Sequence, residues 1–263
     1  MPDTTSLAAQ NAEAPPSEDG WRPDLAVLRA RLDELDDKIH DLLMERALVI
    51  ESVARSGKPA AFRPGREAAI LRRLLARHTG KLPAATVVRM WREMLAGTTA
   101  MQTPVTIAAM GTAAIAREHF GFLTPVIEHP AVRAALTAVR DGEASVDVLP
   151  FPAGPQAWWP ALTDAEPRLY VVARLPFWAA RPPHVPSADV LVVSTVAPDA
   201  SGDDRSFMAA SERSILVDSG LTVLATHGAV FEVEGMVSEG DPRLPRGAIA
   251  IGGYAVPVAG DKA

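Results

Sequence analysis

Two arginines on one predicted helix near the start of the sequence carry its clearest chemical signal. Arg29 and Arg46 are 17 positions apart, and Arg46 falls where the apolar pattern would otherwise place an aliphatic side chain. Burying a guanidinium costs on the order of several kcal/mol unless it meets an anion, because the group loses its hydration. Arg46 therefore predicts an anionic partner, either a carboxylate of the protein or a bound ligand.

The composition excludes several kinds of chemistry and partner. The sequence contains no cysteine, which excludes thiolate catalysis, disulfides and cysteine metal sites. The six histidines show no ligand spacing, so we predict neither a metal nor another cofactor. A net charge of -6 argues against a nucleic-acid partner, which requires a basic surface. No apolar run reaches the roughly 20 residues of a membrane helix, and we expect a cytoplasmic protein that does not bind membranes.

A long helix must position the two arginines. Pro23 and Asp24 favour a helix start, and Gly57 favours its end. Apolar residues recur in steps of three and four, which is typical of a coiled-coil-like seam. The pattern predicts a helix from about residue 24 to about residue 56. The seam positions are Leu25, Leu28, Leu32, Leu35, Ile39, Leu42, Arg46, Val49 and Val53.

Two further helices and an α/β region follow. Residues 63–67 open a second helix that Gly80 closes, and Pro83 and Pro104 bound a third. After Pro104, short apolar runs alternate with glycine and proline, which predicts strands. These runs lie at 105–110, 146–149, 169–173, 190–194, 221–225 and 248–251. The predicted chain is multi-domain, with a disordered tail over residues 1–22, an all-α three-helix domain over 23–103 and an α/β domain over 104–263.

The helical region resembles the all-helical chorismate mutases. The residues that carry the resemblance occur in the family's order across all three helices. They are Leu28-Arg29, Asp33, Leu35-Asp36, Ile39, Leu42-Leu43, Glu45-Arg46, Arg66-Glu67, Thr98 and Gln102.

The resemblance implies a site that grips a dicarboxylate, chorismate. Arg29 and Arg46 would each clamp one carboxylate, and bidentate geometry explains why arginine rather than lysine stands there. Arg66 and Glu67 would hold the ring side and its hydroxyl, and Gln102 would donate toward the ether oxygen. The candidate substrate-binding residues are thus Arg63, Arg66, Glu67 and Thr98, and the candidate catalytic residues are Arg29, Arg46, Lys58 and Gln102.

Helix geometry adds a prediction about assembly. Seventeen residues at about 1.5 Å per residue separate Arg29 from Arg46 by roughly 25 Å, which is too far for both to hold one small substrate. Each site would therefore combine Arg46 of one chain with Arg29 of its partner. We predict an antiparallel, intertwined homodimer, which is also the family's architecture, with the apolar seam as its interface.

The reaction that the resemblance implies is the rearrangement of chorismate to prephenate in aromatic amino-acid biosynthesis, the shikimate pathway. This pericyclic step needs no nucleophile, acid-base pair or metal. The enzyme selects the compact substrate conformer and stabilises the negative charge that grows on the breaking ether oxygen. An arginine-rich cage suits that chemistry.

One position departs from the family's pattern. The family carries a lysine eleven residues after the second arginine, a spacing that returns to the same helix face, and here that position is Gly57. Lys58 lies beyond the predicted helix end, and its flexible stem could bring an ammonium into the site. We take Lys58 as the substitute cation, with a solvated loop lysine as the alternative.

The α/β region resembles the first lobe of prephenate dehydratases. The match lies at Met110-Gly111-Thr112 and at residues 138–150, although Gly111-Thr112 is alternatively a turn with a helix cap. The family's Thr-Arg-Phe and Glu-Asn-Ser motifs are absent, so we predict no dehydratase catalysis. Gly252-Gly253-Tyr254 resembles the close of a small regulatory domain, or forms a β-turn.

Two other functions stay open beside chorismate mutase. In the first, the change at Gly57 has abolished turnover, and the protein is a non-catalytic regulator that binds chorismate, prephenate or an aromatic amino acid. In the second, the same helical domain acts as an isochorismate-pyruvate lyase. The product formed from chorismate separates these alternatives.

Overall fold

The computed structural model describes residues 24–56, 62–152, 159–181, 185 and 189–260. The tail predicted over residues 1–22 and the candidate residue Lys58 lie outside the described residues. The chain divides into two compact units, with the boundary between Val49 and Ile50. We describe each unit by itself.

Helix α1 spans Leu25–Arg55, which confirms the first predicted helix. Asp24 precedes it and caps it, because its Oδ1 accepts a hydrogen bond of 2.9 Å from the N–H of Ala26. No residue of α1 is buried, and its aliphatic seam side chains are between 38% and 63% exposed. An apolar stripe of this length on a helix surface marks an interaction face. Within the described residues, no helix combines the length and apolar content needed to cross a membrane.

Helices α2 and α3 also form where the sequence predicts them. Helix α2 spans Pro64–Arg77, and α3 spans Ala84–Ala100. Leu71 of α2 and Val88 of α3 pack against Phe177, which follows a strand of the α/β region. The change from helices to an α/β pattern thus falls near residue 103, but α2 and α3 belong to the same compact unit as the sheet. The domain boundary between residues 103 and 104 stays a prediction.

The described part of the α/β region forms one mixed, nine-stranded sheet. Its strands are β1 Ile107–Ala109, β2 Val126–Glu128, β3 Val146–Pro150, β4 Tyr170–Leu175, β5 Val190–Ser194, β6 Asp204–Ala209, β7 Val223–His227, β8 Val230–Glu234 and β9 Ile249–Ala255. Their order across the sheet is β2-β1-β3-β5-β4-β9-β6-β8-β7. Strands β1, β2 and β3 pair in parallel, as do β4 and β9, and the remaining pairs are antiparallel. The accompanying helices are α4 Ala113–Phe120, α5 Val132–Arg140, α6 Pro160–Thr163 and α7 Arg213–Asp218.

The sequence pattern missed strands β2, β6 and β8. Strand β6 buries Asp204 and Ser206, and β8 buries Glu232. Polar residues at these buried positions interrupt the apolar pattern from which a strand is predicted. Partners elsewhere in the chain make this burial possible. Asp204 accepts from the backbone N–H groups of Ser201 and Gly202, and Ser206 donates to the carbonyl of Gly235.

Different helices cover the two faces of the sheet. Residues of α5 and Leu162 of α6 pack on one face, together with Leu149 and Val171. Ile115 and Phe120 of α4 pack on the other face, against Val148 and other strand residues. The core therefore lies on both sides of the central strands, as a mixed sheet in an α/β domain requires.

Gly252 lies inside β9, so the β-turn alternative for Gly252-Gly253-Tyr254 is wrong. Its φ is +147°, and a Cβ there would lie 2.2 Å from the carbonyl oxygen of Val171. Val171 of β4 is the residue with which Gly252 is paired. Glycine is therefore required where β9 approaches β4.

Asp147 places a carboxyl group in the centre of the sheet. It lies on β3 between Ala108 of β1 and Val193 of β5 and is fully buried. Neither carboxyl oxygen makes a well-formed hydrogen bond within the described residues. Burial raises the pKa of Asp147 to about 7, and the nearby backbone N–H of Val148 offsets only part of this effect. The carboxyl group is therefore neutral in the folded protein below that pH.

This burial predicts an unusual pH dependence of stability. Because the pKa of Asp147 rises from 3.8 to about 7 on folding, the folded state holds a proton that the unfolded state has lost between these values. The free energy of unfolding should therefore fall as pH rises through this window, by at most about 1.4 kcal/mol per pH unit from this group. Asp147→Asn should remove that part of the slope and stabilise the protein at neutral pH.

Urea unfolding of the parent and the variant between about pH 4 and pH 8 measures the effect. Asp164→Asn, at an exposed position after α6, is the matched control and should keep the parent's slope. Identical slopes for the parent and Asp147→Asn would contradict the prediction.

Candidate active site

The two clamp arginines both lie on α1. Arg29 is exposed, whereas Arg46 is partly buried. Burial lowers the pKa of Arg46 from its ordinary value, although the guanidinium stays charged at neutral pH. The structure thus places Arg46 in a more desolvated environment than Arg29, as its seam position predicts, but does not bury it fully.

The start of α2 is held by a carboxylate from the loop between β5 and β6. The Oδ1 atom of Asp199 accepts from the backbone N–H of Gly65 at 2.9 Å, and its Oδ2 accepts from the N–H of Arg66 at 3.2 Å. The side chain of Arg63 forms an ion pair with the same carboxylate, with Nη2 and Oδ2 3.2 Å apart. Two of the predicted substrate-binding residues, Arg63 and Arg66, therefore meet at Asp199, and the side chain of Arg66 is exposed.

Gly65 is the residue that allows this approach. A Cβ at Gly65 would lie 2.1 Å from the backbone oxygen of Asp199, far inside van der Waals contact. The backbone of the loop between β5 and β6 therefore comes closer to α2 than any side chain at position 65 would permit.

Glu67 forms a buried ion pair with Arg92 of α3. The Nη1 atom of Arg92 donates to Oε2 of Glu67 at 2.8 Å, and the two side chains are 6% and 14% exposed. Desolvation raises the pKa of Glu67 and lowers that of Arg92, and their mutual attraction opposes both shifts. The guanidinium carbon of Arg92 also lies 4.9 Å from the centre of the Phe177 ring, which adds a cation–π contact.

Arg92 is not among the residues predicted from the sequence, although the sequence carries a signal for it. Arg92 stands between the buried residues Val88 and Leu95 at helical spacing, so an arginine interrupts an apolar face. The same observation drew attention to Arg46. The partner of Arg92 was not predictable, since Glu67 lies 25 positions away on another helix.

Thr98 and Gln102 lie together at the end of α3. The hydroxyl of Thr98 donates to the carbonyl oxygen of Met94 at 3.0 Å, and the amide of Gln102 donates to the carbonyl oxygen of Thr98 at 3.1 Å. Both side chains are partly buried. These bonds hold the amide of Gln102 close to the helix end. Within the described residues, no three His, Asp or Glu side chains are placed to hold a metal ion.

Thr112 stands at the N-cap position of α4, but its side chain makes its hydrogen bond elsewhere. Its hydroxyl donates to the carbonyl oxygen of Val148 on β3, and no side-chain cap is formed at the start of α4. The preceding N–H of Gly111 donates to Oε2 of Glu128 at 2.9 Å. Gly111-Thr112 thus stands at the turn before α4, where the side-chain hydrogen bond of a cap is absent.

Comparison with known proteins identifies the helical part of the chain. Residues 28–103 match the family model of chorismate mutase type II. The chain thus carries a helical chorismate mutase domain followed by an α/β domain, which confirms the resemblance drawn from the sequence.

Two relatives extend the match beyond this domain. The chain is 33% identical over 141 residues to the bifunctional chorismate mutase/prephenate dehydratase of Pseudomonas aeruginosa, covering 48% of this chain and 38% of the relative. It is 33% identical over 128 residues to the protein of the same name from Neisseria gonorrhoeae, covering 46% of this chain and 35% of the relative. The matched part of this chain is longer than residues 28–103, yet it spans little more than a third of each relative.

Among solved structures, prephenate dehydratase from Arthrobacter aurescens in complex with L-Phe is similar in part. The similarity covers 60% of this chain and 94% of that chain, at 15% sequence identity and a TM-score of 0.40.

The buried pair of Glu67 and Arg92 yields a stability prediction. Arg92→Leu should lower the free energy of unfolding by roughly 3 kcal/mol, because the buried carboxylate of Glu67 is left without its cation. This value is at the lower end of the range for a broken buried ion pair, since Glu67 can take up a proton. Adding Glu67→Gln should recover part of this loss, since the unpaired carboxylate is then gone. Urea unfolding of the parent, both single variants and the double variant measures these effects.

Arg89→Leu, at an exposed position on the same helix, is the matched control and should change stability by less than about 0.5 kcal/mol. Strictly additive effects of Arg92→Leu and Glu67→Gln would show that the two side chains are not energetically coupled, against this prediction.

Proposed function

We propose that this chain is a chorismate mutase, which rearranges chorismate to prephenate in aromatic amino-acid biosynthesis. The observation that carries the proposal is the match of residues 28–103 to chorismate mutase type II. That range contains Arg29, Arg46 and Gln102, the proposed catalytic residues whose chemistry the rearrangement needs. The relatives named as bifunctional chorismate mutase/prephenate dehydratases support it.

Each proposed site residue has its own chemical role. The guanidinium groups of Arg29 and Arg46 each bind one carboxylate of chorismate and hold it in the compact conformer. The partial desolvation of Arg46 strengthens its attraction for a carboxylate, since water competes less for the charge. Gln102 donates toward the ether oxygen, where negative charge grows as the bond breaks. No proton is transferred in this step.

Near the substrate ring, Arg66 and Glu67 bind the ring side and its hydroxyl, with Arg63 and Thr98 as further binding residues. The ion pair with Arg92 supports this assignment, because it fixes one oxygen of the Glu67 carboxylate and limits its rotation. Capping by Asp199 supports it as well, since it fixes the backbone from which Arg66 extends.

The proposed enzyme is a homodimer. Within the described chain, α1 buries none of its residues, and its aliphatic seam is exposed along the whole helix. Two such helices packed antiparallel would cover both seams. They would also bring Arg29 of one chain toward Arg46 of the other, which one helix alone cannot do over roughly 25 Å.

Dehydratase activity is not part of the proposal. The sequence lacks the two motifs that the resemblance implies for that reaction, and Pro150-Phe151-Pro152 stands where one of them is expected. The hydroxyl of Thr112 is also engaged with the backbone of β3. The cytoplasmic location remains a prediction from the sequence.

A subunit-mixing experiment tests the activity and the shared site together. Arg29→Ala and Arg46→Ala should each lower kcat/KM for chorismate by on the order of 10²-fold or more, because each removes a charged donor that holds the reacting substrate. Mixing the two inactive proteins under subunit exchange should restore activity, since a heterodimer contains one site with both arginines. Absorbance of chorismate measures the rate, and chromatography identifies the product.

Arg31→Ala is the matched control, because Arg31 lies on the same helix and pairs with exposed Glu34; it should keep the parent's rate. A fully active monomer, or no recovery after subunit exchange, would contradict the shared site. Pyruvate release would instead identify a lyase, phenylpyruvate a dehydratase, and saturable chorismate binding without turnover a regulatory protein.

Variants of Lys58 provide a second test. They ask whether Lys58 replaces the lysine that the family carries at the position of Gly57. If its ammonium stabilises charge on the ether oxygen, Lys58→Ala should lower kcat/KM by on the order of 10²-fold without changing dimer stability. Gly57→Lys in that background should restore activity, because the resemblance places the family's lysine at this position. Lys38→Ala, exposed on α1, is the control. A kinetically silent Lys58→Ala in an active parent would rule Lys58 out and make Arg63 the next candidate.

A further inference from the structure

A cavity of about 410 Å³ lies between α3, α4 and the segment that follows β4. Its volume falls within the range of small-molecule sites, roughly 300–1,000 Å³. Val88 of α3 and Ile115 of α4 contribute aliphatic walls, and Phe177 and Trp178 contribute aromatic ones. Arg92 of this lining pairs with Glu67, but none of the residues proposed to bind chorismate lines the cavity, so a ligand here would not depend on the mutase activity.

Two buried polar atoms of the cavity lining lack partners. The Nε2 atom of His119 and the Nε atom of Arg181 are buried without a hydrogen bond from any described residue. Arg181 is oriented by Glu118, whose Oε1 accepts from its Nη1 at 2.6 Å, and this leaves the Nε–H as a donor. Buried donors are rarely left unsatisfied in native proteins. An unmatched guanidinium N–H in the lining of a cavity points to an acceptor supplied from outside the chain.

The charge of the lining favours an anion. Arg89, Arg92 and Arg181 line the cavity, and Glu118 is the acidic residue among the described lining. Arg92 is paired with Glu67 outside the cavity. Even after both ion pairs are counted, the positive charge of Arg89 remains, so the cavity attracts a negatively charged group.

We propose that this cavity binds a small aromatic monocarboxylate. The ring lies among Val88, Phe177 and Trp178, where it replaces water against apolar walls. The carboxylate accepts from Nε of Arg181, and charge-assisted hydrogen bonds of this kind are about twice as strong as neutral ones.

His119 completes the polar end of the site. It is 8% exposed, and burial lowers its pKa well below the ordinary value, with Arg92 adding a smaller effect. The imidazole is therefore neutral at physiological pH and retains one N–H. A neutral ring permits Nε2 to donate to a carboxylate without adding a second buried cation beside Arg92.

Calorimetric titration of the full chain with phenylacetate tests the proposal. We expect saturable binding of one molecule per chain. Phenylacetamide has the same ring and nearly the same shape but no charge, so it should bind at least about tenfold more weakly.

Three variants locate the binding. Arg181→Gln removes the charged donor and should weaken phenylacetate binding by about 10- to 100-fold, the range for hydrogen bonds to charged groups. Ala85→Leu adds bulk to the lining of the cavity from α3, keeps every polar group and should abolish binding. Arg117→Gln, exposed on α4 and outside the described lining, is the matched control and should bind like the parent.

Several results would overturn the proposal. One is the absence of saturable phenylacetate binding up to the solubility limit of phenylacetate. The others are equal affinity for phenylacetate and phenylacetamide, and an affinity of Ala85→Leu for phenylacetate that equals that of the parent. Circular dichroism checks that each variant is folded. If Arg181→Gln does not fold, Ala85→Leu and the neutral amide still decide the outcome.

Discussion

The start of α2 depends on a carboxylate that is distant in sequence. The first N–H groups of a helix need acceptors, and Arg63 at the N-cap position supplies none. Asp199 supplies one to Gly65 and one to Arg66, and the missing Cβ at Gly65 lets its backbone come close enough. The direction of α2, and with it the position of Glu67, is therefore fixed by the loop between β5 and β6.

This junction explains why α2 and α3 share a compact unit with the sheet. The ion pair between Glu67 and Arg92 joins the two helices, and Arg92 in turn contacts the ring of Phe177, beyond β4. Arg72 adds hydrogen bonds from α2 to Ser201 and to the carbonyl oxygen of Val256. Because Glu67 and Arg92 are both charged and largely buried, losing either one leaves an uncompensated charge in the other.

Helix α1 stands in contrast, since its apolar seam is exposed in the single chain. Aliphatic side chains spaced for knobs-into-holes packing gain most from a second helix of the same kind. The proposed dimer would therefore obtain its stability from α1 and the orientation of Arg66 and Glu67 from the α/β domain.

The sequence by itself determined the three N-terminal helices, the arginine pattern on α1 and the family of residues 28–103. These depend on local periodicity, on end signals such as Pro64 and on the order of a few side chains, all readable along the chain. Only the tertiary structure decided the partner of Glu67, the capping by Asp199 and the cavity beside His119. Each joins residues from separate elements, and strands such as β6 bury polar groups that are satisfied only once the sheet has formed. No local spacing encodes such contacts, because burial and hydrogen bonding are properties of the assembled fold.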